Sequence, residues 1–315
     1  MPLVSTQRPQ SSLEHICYRG RFAPSPSGLL HFGSLVAALA SYLDAKAHLD
    51  RKGQAGKWLL RIEDIDHPRE LSGASSQILS TLAAFGLHWD EQVLYQSTQG
   101  QRYREILSDL FSKELSYHCQ CTRAQIKSLG GVYQGHCRHL HLPSENAAIR
   151  LKNSQKKHQF IDVFQGRIDC NLTLANEDFI IHRKDGLFAY QLAVVADDIE
   201  QNINQVIRGA DLVEPTARQL SFFSILNKQA PNYGHVPLAL NRHGAKLSKQ
   251  NQATALHETN PQPALISALV FLGQLSNGDL EQELRHASVE DIIIWAVAHW
   301  QRDSVPKVRA IKINE

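Results

Sequence analysis

With 315 residues, 43% hydrophobic and 20% charged, the chain has the composition of a globular protein long enough for one large or two modest domains with a real core. Its 33 Lys and Arg against 31 Asp and Glu leave a formal charge of +2, too slight a lean to argue for a polyanionic partner by itself. No apolar run approaches the roughly 18 residues of a membrane span, and the Ser-, Gln- and Pro-rich residues 1–17 hold no signal-peptide core, so a cytoplasmic protein with no membrane contact is expected. A monomer is expected as well, though nothing in the sequence fixes the oligomeric state. Five cysteines without an export signal point to reduced thiols rather than a disulfide framework.

Residues 1–17 lack periodicity and read as a flexible extension. Tyr18 to Ala23 then reads as a short strand. The run Pro24-Ser25-Pro26-Ser27-Gly28 cannot continue a helix or a strand interior, and Gly33 to Leu49 reads as an Ala- and Leu-rich helix. A strand, a tight loop and a helix N-terminus present unpaired N–H groups to whatever lies above, which suits a phosphate, and His31 would add a donor. A Pro-rich turn with an exposed histidine accounts for the same stretch, so residues elsewhere must decide.

Lys57 to Ile62 forms a β-rich run ending in Glu63-Asp64-Ile65-Asp66, carboxylates where an open α/β sheet places ligand contacts. Residues 73–88 read as an amphipathic helix, Val93 to Gln96 as a short strand and Gln101 to Leu115 as a further helix. Next come Cys119, Cys121 and Cys137, three thiols in a span that suits a structural zinc ion or, alternatively, buried free thiols. For a fourth ligand Tyr133, His118, His136 and His139 are all within reach. Residues 138–185 alternate strands and turns, with Lys152, Lys156, Lys157, Arg183 and Lys184 either along a phosphate backbone or on a solvated face, and Cys170 as a buried small hydrophobe.

The apolar run Leu187 to Val195 either returns to the sheet or packs a helix against it, with Asp197 and Asp198 as its end. Gln205 to Arg208 reads as a buried strand, Gly209 to Asp211 as its turn and Pro215 to Leu226 as a helix. Arg208 at that strand end either grips a carboxylate bidentately or pairs with Asp211 or Glu214. His235 to Leu240 is the next strand. After a Gly-bearing loop, Lys246-Leu247-Ser248-Lys249-Gln250 places two lysines where they can converge on a triphosphate. Residues 251–315 show helical patterns at 263–272 and 289–300.

The block Arg21-Phe22-Ala23-Pro24-Ser25-Pro26-Ser27-Gly28 with His31-Phe32-Gly33-Ser34 resembles the first signature of class I aminoacyl-tRNA synthetases in its glutamate-type form. Phe32 replaces an aliphatic residue and Ser34 a second histidine. Arg61 to Asp66 looks like the second glutamyl-type block, Arg208 to Leu212 like the glutamate-specific block, and Lys246 to Gln250 like the second class I signature, with Gln250 in place of a serine. The resemblance covers residues 19–310 and is nearest to the truncated paralogue family of glutamyl-queuosine tRNA(Asp) synthetases. It implies an α/β fold: a Rossmann-like class I synthetase catalytic domain (18–110 and 187–250) interrupted by a zinc-bearing α+β insertion (111–186) and followed by a short C-terminal helical subdomain (251–315), with no anticodon-binding domain.

The same resemblance implies roles. Glutamate would be bound by Arg21, Phe22, Ala23, Pro24, Ser25, Glu63, Tyr190 and Arg208, with Glu63 on the amino group and both arginines and Tyr190 on the carboxylates. ATP would be bound by His31, Gly33, Ser34, Lys246, Ser248 and Lys249, of which His31, Lys246 and Lys249 are catalytic. Zinc would be held by Cys119, Cys121, Tyr133 and Cys137, and magnesium would accompany ATP. The implied reaction is activation of L-glutamate by ATP without tRNA, then transfer to the queuosine base at the first anticodon position of tRNA(Asp). A minimal glutamyl-tRNA synthetase that charges the tRNA end, and a non-catalytic zinc-stabilised RNA-binding paralogue, are the alternatives.

Overall fold

The computed structural model describes residues 17–247, 254–275 and 278–313. The expected N-terminal extension, Cys17 excepted, and Ser248, Lys249 and Gln250 lie outside these residues. In chain order the elements of the first half are β1 (Arg19–Phe22), α1 (Phe32–Lys46), β2 (Lys57–Ile62), α2 (Ala74–Ala84), β3 (Leu94–Tyr95) and α3 (Gly100–Ser112). Next come β4 (Ser116–Cys119), α4 (Arg123–Ser128), β5 (Ala148–Leu151), β6 (Gln159–Asp162), β7 (Gly166–Asp169), α5 (Leu172–Ala175) and β8 (Ile180–His182). The rest comprises α6 (Tyr190–Glu200), β9 (Gln205–Gly209), α7 (Val213–Ile225), β10 (Asn232–Val236), β11 (Leu238–Leu240), α8 (Gln262–Phe271), α9 (Gly278–Leu284), α10 (Val289–His299) and β12 (Ala310–Lys312).

Strands β1, β2 and β3 pair in parallel, with Arg21 beside Leu59 and Arg61 beside Leu94. Strands β9, β10 and β6 form a second parallel run, and β7 closes its edge as an antiparallel hairpin on β6. The two runs meet where Asn204, at the start of β9, accepts a hydrogen bond from the Arg19 N–H at 2.9 Å and donates its own to the Arg19 carbonyl at 3.0 Å. The spatial order is therefore β3-β2-β1-β9-β10-β6-β7. Strand order reverses between β1 and β9, which is where a doubly wound sheet opens a crevice above its strand ends.

Helix α1 is buried nearly all round, from Leu35 to Ala45 apart from Ala37, because it lies across this junction, and its sequence is accordingly apolar without a polar face. Trp58 on β2 is fully buried beneath it and donates to Ser41 Oγ at 2.8 Å; truncating such a residue to alanine costs about 3–5 kcal/mol. At Gly56 a Cβ would lie 2.5 Å from the Ala45 carbonyl and 2.8 Å from Tyr18 Cβ, so only glycine admits β2 this close to α1.

The separate sheet β4-β5-β8 is antiparallel and carries the cysteine-bearing stretch. The C-terminal helices share the main core with α1, and β12 pairs in parallel with β11. Asp44 on α1 anchors them: its carboxylate accepts from Trp300 Nε1 at 3.0 Å, from Arg302 Nε and Nη2 at 2.7 and 2.8 Å, and from Tyr18 at 2.5 Å.

Several elements differ from the sequence expectation. The expected strand 235–240 is two strands, because Pro237 has no N–H to donate: β10 pairs with β9 and β11 with β12. Asp197 and Asp198 do not end the apolar run. It is helix α6 and passes through both to Glu200, since each buried carboxylate finds donors. Strands β7 and β12 and helix α9 were not expected. Cys170 is half-buried rather than buried.

Candidate active site

The crevice at the β1/β9 junction contains a cavity of about 640 Å³ lined by Arg21, Phe22, Ala23, Ser25, Glu63, Gln96, Tyr190 and Arg208 among others. Arg21 reaches it from the end of β1, Glu63 from just beyond β2, Tyr190 from the first turn of α6 and Arg208 from β9. Four segments far apart in sequence thus converge. Pro24 does not line the cavity, but its carbonyl accepts from the Glu63 N–H at 3.0 Å and so fixes the carboxylate-bearing loop against the first signature.

Arg21 and Arg208 are only 3% and 4% exposed, so each cation must be compensated. Arg21 donates from Nε and Nη2 to the two oxygens of Asp198, at 3.2 and 3.4 Å, and Asp198 also accepts from Arg61 at 2.6 Å. Burial alone would raise the Asp198 carboxyl, but the two arginines override it and hold it below its ordinary range. Asp197, with donors in Tyr103 and Gln96, goes the other way and is raised by burial.

Glu63 accepts no side-chain hydrogen bond among the described residues. Burial pushes its carboxyl up to about 7, against the pull of Arg21 and Arg61. Beside it, Gln96 donates from Nε2 to Asp197 at 2.7 Å while its buried Oε1 has no partner among the described residues. An acceptor wall lacking donors suits an ammonium group.

Arg208 presents neither of its expected ion pairs. Its Nε donates to His235 Nε2 at 3.1 Å, and its Nη2 to Thr216 Oγ1 and Gln219 Oε1, both at 2.8 Å, and to the Leu212 carbonyl at 3.1 Å. Nη1 faces the Tyr190 hydroxyl at 3.5 Å and the cavity. A carboxylate there would meet one nitrogen rather than the expected bidentate fork, because the fork is occupied by protein acceptors. Asp211 instead pairs with Lys246 Nζ at 2.5 Å.

A smaller cavity of about 170 Å³ adjoins the first through the shared residues Ala37 and Gly209, and His31, Gly33, Ser34, Asp211 and Lys246 line it. His31 is the N-cap of α1: its Nδ1 accepts from the Ser34 N–H at 3.3 Å, which places the proton of the neutral ring on Nε2. The expected phosphate-binding stretch and Lys246 therefore face one space, next to the amino-acid cavity.

On the antiparallel sheet, Cys119, Cys121 and Cys137 bring their sulfurs within 4.8 Å of one another, with Cys121 and Cys137 at 3.5 Å. Tetrahedral zinc–thiolate bonds of about 2.3 Å would set sulfurs about 3.8 Å apart, so the cluster fits a metal ion. No histidine joins it among the described residues, and His118 is bound to the Leu142 carbonyl at 3.1 Å. The Tyr133 hydroxyl does approach it, interacting with the Cys119 side chain and accepting from the Cys137 N–H at 2.7 Å. Arg150 completes the surroundings, stacked 3.7 Å from the Tyr133 ring and donating to Cys119 Sγ at 3.3 Å.

Sequence reasoning missed Asp197, Asp198 and Gln96 around Arg21, Arg61 and Glu63, and His235 as a partner of Arg208. Two adjacent aspartates inside an otherwise apolar helix were the available signal, since carboxylates so placed need buried cations.

Comparison with known proteins agrees with this architecture. The family model described as tRNA synthetases class I (E and Q), catalytic domain, matches residues 18–291. A Glutamyl-Q tRNA(Asp) synthetase of Colwellia psychrerythraea is 63% identical over 319 residues, covering 100% of both chains. One of Escherichia coli is 53% identical over 290 residues, covering 92% of this chain and 91% of the relative. Among solved structures, a glutamate tRNA ligase from Elizabethkingia meningosepticum in complex with its amino acid superposes with a TM-score of 0.74 at 23% identity, and shows the shared fold. The match takes in 94% of this chain and 66% of that longer one. No helix among the described residues is long and apolar enough to cross a membrane.

Proposed function

This chain belongs to the class I tRNA synthetases of the E and Q type and, within them, to the glutamyl-Q tRNA(Asp) synthetase family; from that premise we propose that it activates L-glutamate with ATP and transfers it to the queuosine base of tRNA(Asp). The observation that carries the reading is the pairing of donors and acceptors around the larger cavity. Arg21 and Arg208 offer N–H groups to carboxylates, Tyr190 stands beside Arg208, and Glu63 offers an acceptor to the ammonium group.

In this reading the α-carboxylate of glutamate points towards the smaller cavity, where the α1 N-terminus, the His31 Nε2–H and Lys246, with Ser248 and Lys249 from the same signature, bind the phosphates of ATP. A carboxylate oxygen attacks the α-phosphorus in line. The new C–O–P link forms as the bond to the β-phosphate oxygen breaks, and pyrophosphate leaves with the electron pair. Magnesium bound to ATP would neutralise charge on that leaving group. The donors named above do the same on the protein side, and holding both reactants in adjoining cavities removes most of the entropic cost of the encounter. No protein nucleophile is needed. A hydroxyl of the queuosine base then attacks the acyl carbon and AMP departs. Cys119, Cys121, Cys137 and Tyr133 would hold a structural zinc that stiffens the region facing the tRNA.

The test is transfer of labelled glutamate to tRNA(Asp) with and without queuosine, followed by removal of the terminal adenosine. Label that requires queuosine and survives trimming is expected. Label lost with the terminal adenosine would identify a minimal synthetase for the tRNA end instead, and absence of glutamate-dependent pyrophosphate exchange would identify a non-catalytic paralogue.

A further inference from the structure

Arg208 is held by a buried chain that runs away from the cavity across β10 to β6, one strand short of the sheet edge. Arginine is always protonated, so its Nε–H is the donor in the 3.1 Å contact with His235 Nε2, and that nitrogen must carry a lone pair. The ring proton then sits on Nδ1 and donates to Asp162 Oδ2 at 2.5 Å. The other oxygen of Asp162 is pinned by the backbone N–H groups of Phe164 and Gln165, both at 2.9 Å, and of His235 at 3.2 Å. Both side chains are fully buried, so no solvent can substitute for either partner. Burial, reinforced by Arg208 and only partly offset by Asp162, pushes the His235 pKa down to about 4, which keeps the ring neutral and accepting at neutral pH.

We propose that Asp162 and His235 are positioning residues for amino-acid selection: by fixing the ring tautomer they engage Arg208 Nε and turn its Nη1 edge alone towards the side-chain carboxylate of the substrate. The inference rests on the reading that Arg208 binds that carboxylate. Asp162 lies on β6 and His235 on β10, neighbouring strands away from the cavity lining, so neither touches the substrate. If the chain of bonds were only packing, any residue of similar volume would serve. If it sets the acceptor, the position of one atom matters.

Two isosteric replacements separate these cases. Glutamine places an acceptor oxygen near the site of the imidazole Nε2, whereas asparagine reaches only the Nδ1 position. In glutamate-dependent pyrophosphate exchange, His235→Asn is expected to raise the KM for glutamate about 30-fold, the range for losing a hydrogen bond to a charged group, with the KM for ATP changed less than about twofold. It should also lower the preference for glutamate over glutamine by a similar factor. His235→Gln should stay within about threefold of the parent in both. Asp162→Asn should resemble His235→Asn, because an amide N–H facing Nδ1 favours the tautomer with its proton on Nε2. In the His235→Gln background the same change should add little.

Melting temperature and metal content report whether each variant has folded. Equal losses in His235→Asn and His235→Gln, or parallel rises in the KM for glutamate and for ATP, would overturn the positioning role while leaving the function intact. A parent enzyme without glutamate-dependent exchange would overturn the functional reading and the assignment with it.

Discussion

Glu63→Gln isolates the most perturbed carboxyl in the cavity. Burial and the nearby Asp198 and Asp197 raise Glu63 from an ordinary 4.5 to about 7 although Arg21 and Arg61 pull the other way. At ~1.4 kcal/mol per pKa unit, charging it in the unliganded protein costs on the order of 3 kcal/mol. The sign follows from linkage. The folded carboxyl holds its proton more tightly than the unfolded one, so stability falls as pH rises from about 4.5 to 7 and is level outside that window. Glu63→Gln removes the slope, so the variant should match the parent at pH 4.5 and melt several degrees higher at pH 8 in the absence of ligands. Substrate reverses the ranking. An ammonium beside Glu63 selects the ionised form, so the parent's KM for glutamate should fall roughly tenfold per pH unit between about pH 5.5 and 7 and then level. The variant should bind about 100-fold more weakly with no such dependence, the scale for an unpartnered charge in a desolvated site. Pyrophosphate exchange across pH 5.5–8.5 and thermal melts over the same range measure both. A variant that keeps the parent's pH slope would refute the assignment of Glu63 as the titrating group and as the ammonium ligand.

Cys121→Ser removes one of three clustered sulfurs and should abolish stoichiometric metal in the purified protein, read by elemental analysis, with increased proteolysis confined to residues 111–186; unchanged metal content would rule out the site. Arg302→Gln leaves the buried Asp44 without its cation and should lower stability by about 1–3 kcal/mol in urea unfolding. Asp44→Asn should cost a similar amount, and the double variant less than the two together; strict additivity would show that the pair does not act as a unit.

The parallel core was legible because its signals are local. The Pro-rich loop after β1 excludes regular structure, α1 has an unbroken apolar pattern, and β2 ends where its carboxylates begin. Strand β6 was legible within the alternation of residues 138–185, but its parallel pairing with β10 and the pairing of the tail strand β12 with β11 were not, since each joins segments that no short window contains. Helix α6 shows the same limit from the other side. Asp197 and Asp198 carry the local signature of a loop, and only Arg61, Arg21, Gln96 and Tyr103, supplied by other segments, make them compatible with a buried helix. In the site, the place of Arg208 at a strand end was legible, but its geometry was not: the acceptors that occupy Nε and Nη2 come from β10 and α7.

In the proposed reading, those hidden partners are what makes the site select a charged ligand rather than merely tolerate one. Arg21 and Arg61 face Asp197, Asp198 and Glu63, one potential anion more than cations, and burial, with a smaller contribution from the two aspartates, raises the Glu63 carboxyl. Arg208 has the opposite imbalance. Its nearest ionisable partner, His235, is neutral, and the carboxylate of Asp162 stands one imidazole ring away. An amino acid with an ammonium group at Glu63 and a carboxylate at Arg208 Nη1 corrects both at once. Glutamine corrects only the first and leaves a desolvated guanidinium edge facing an amide, a loss that falls on the wrong substrate because the edge is fixed before either arrives. In this proposal the discrimination resides in how rigidly Arg208 is held as much as in its charge.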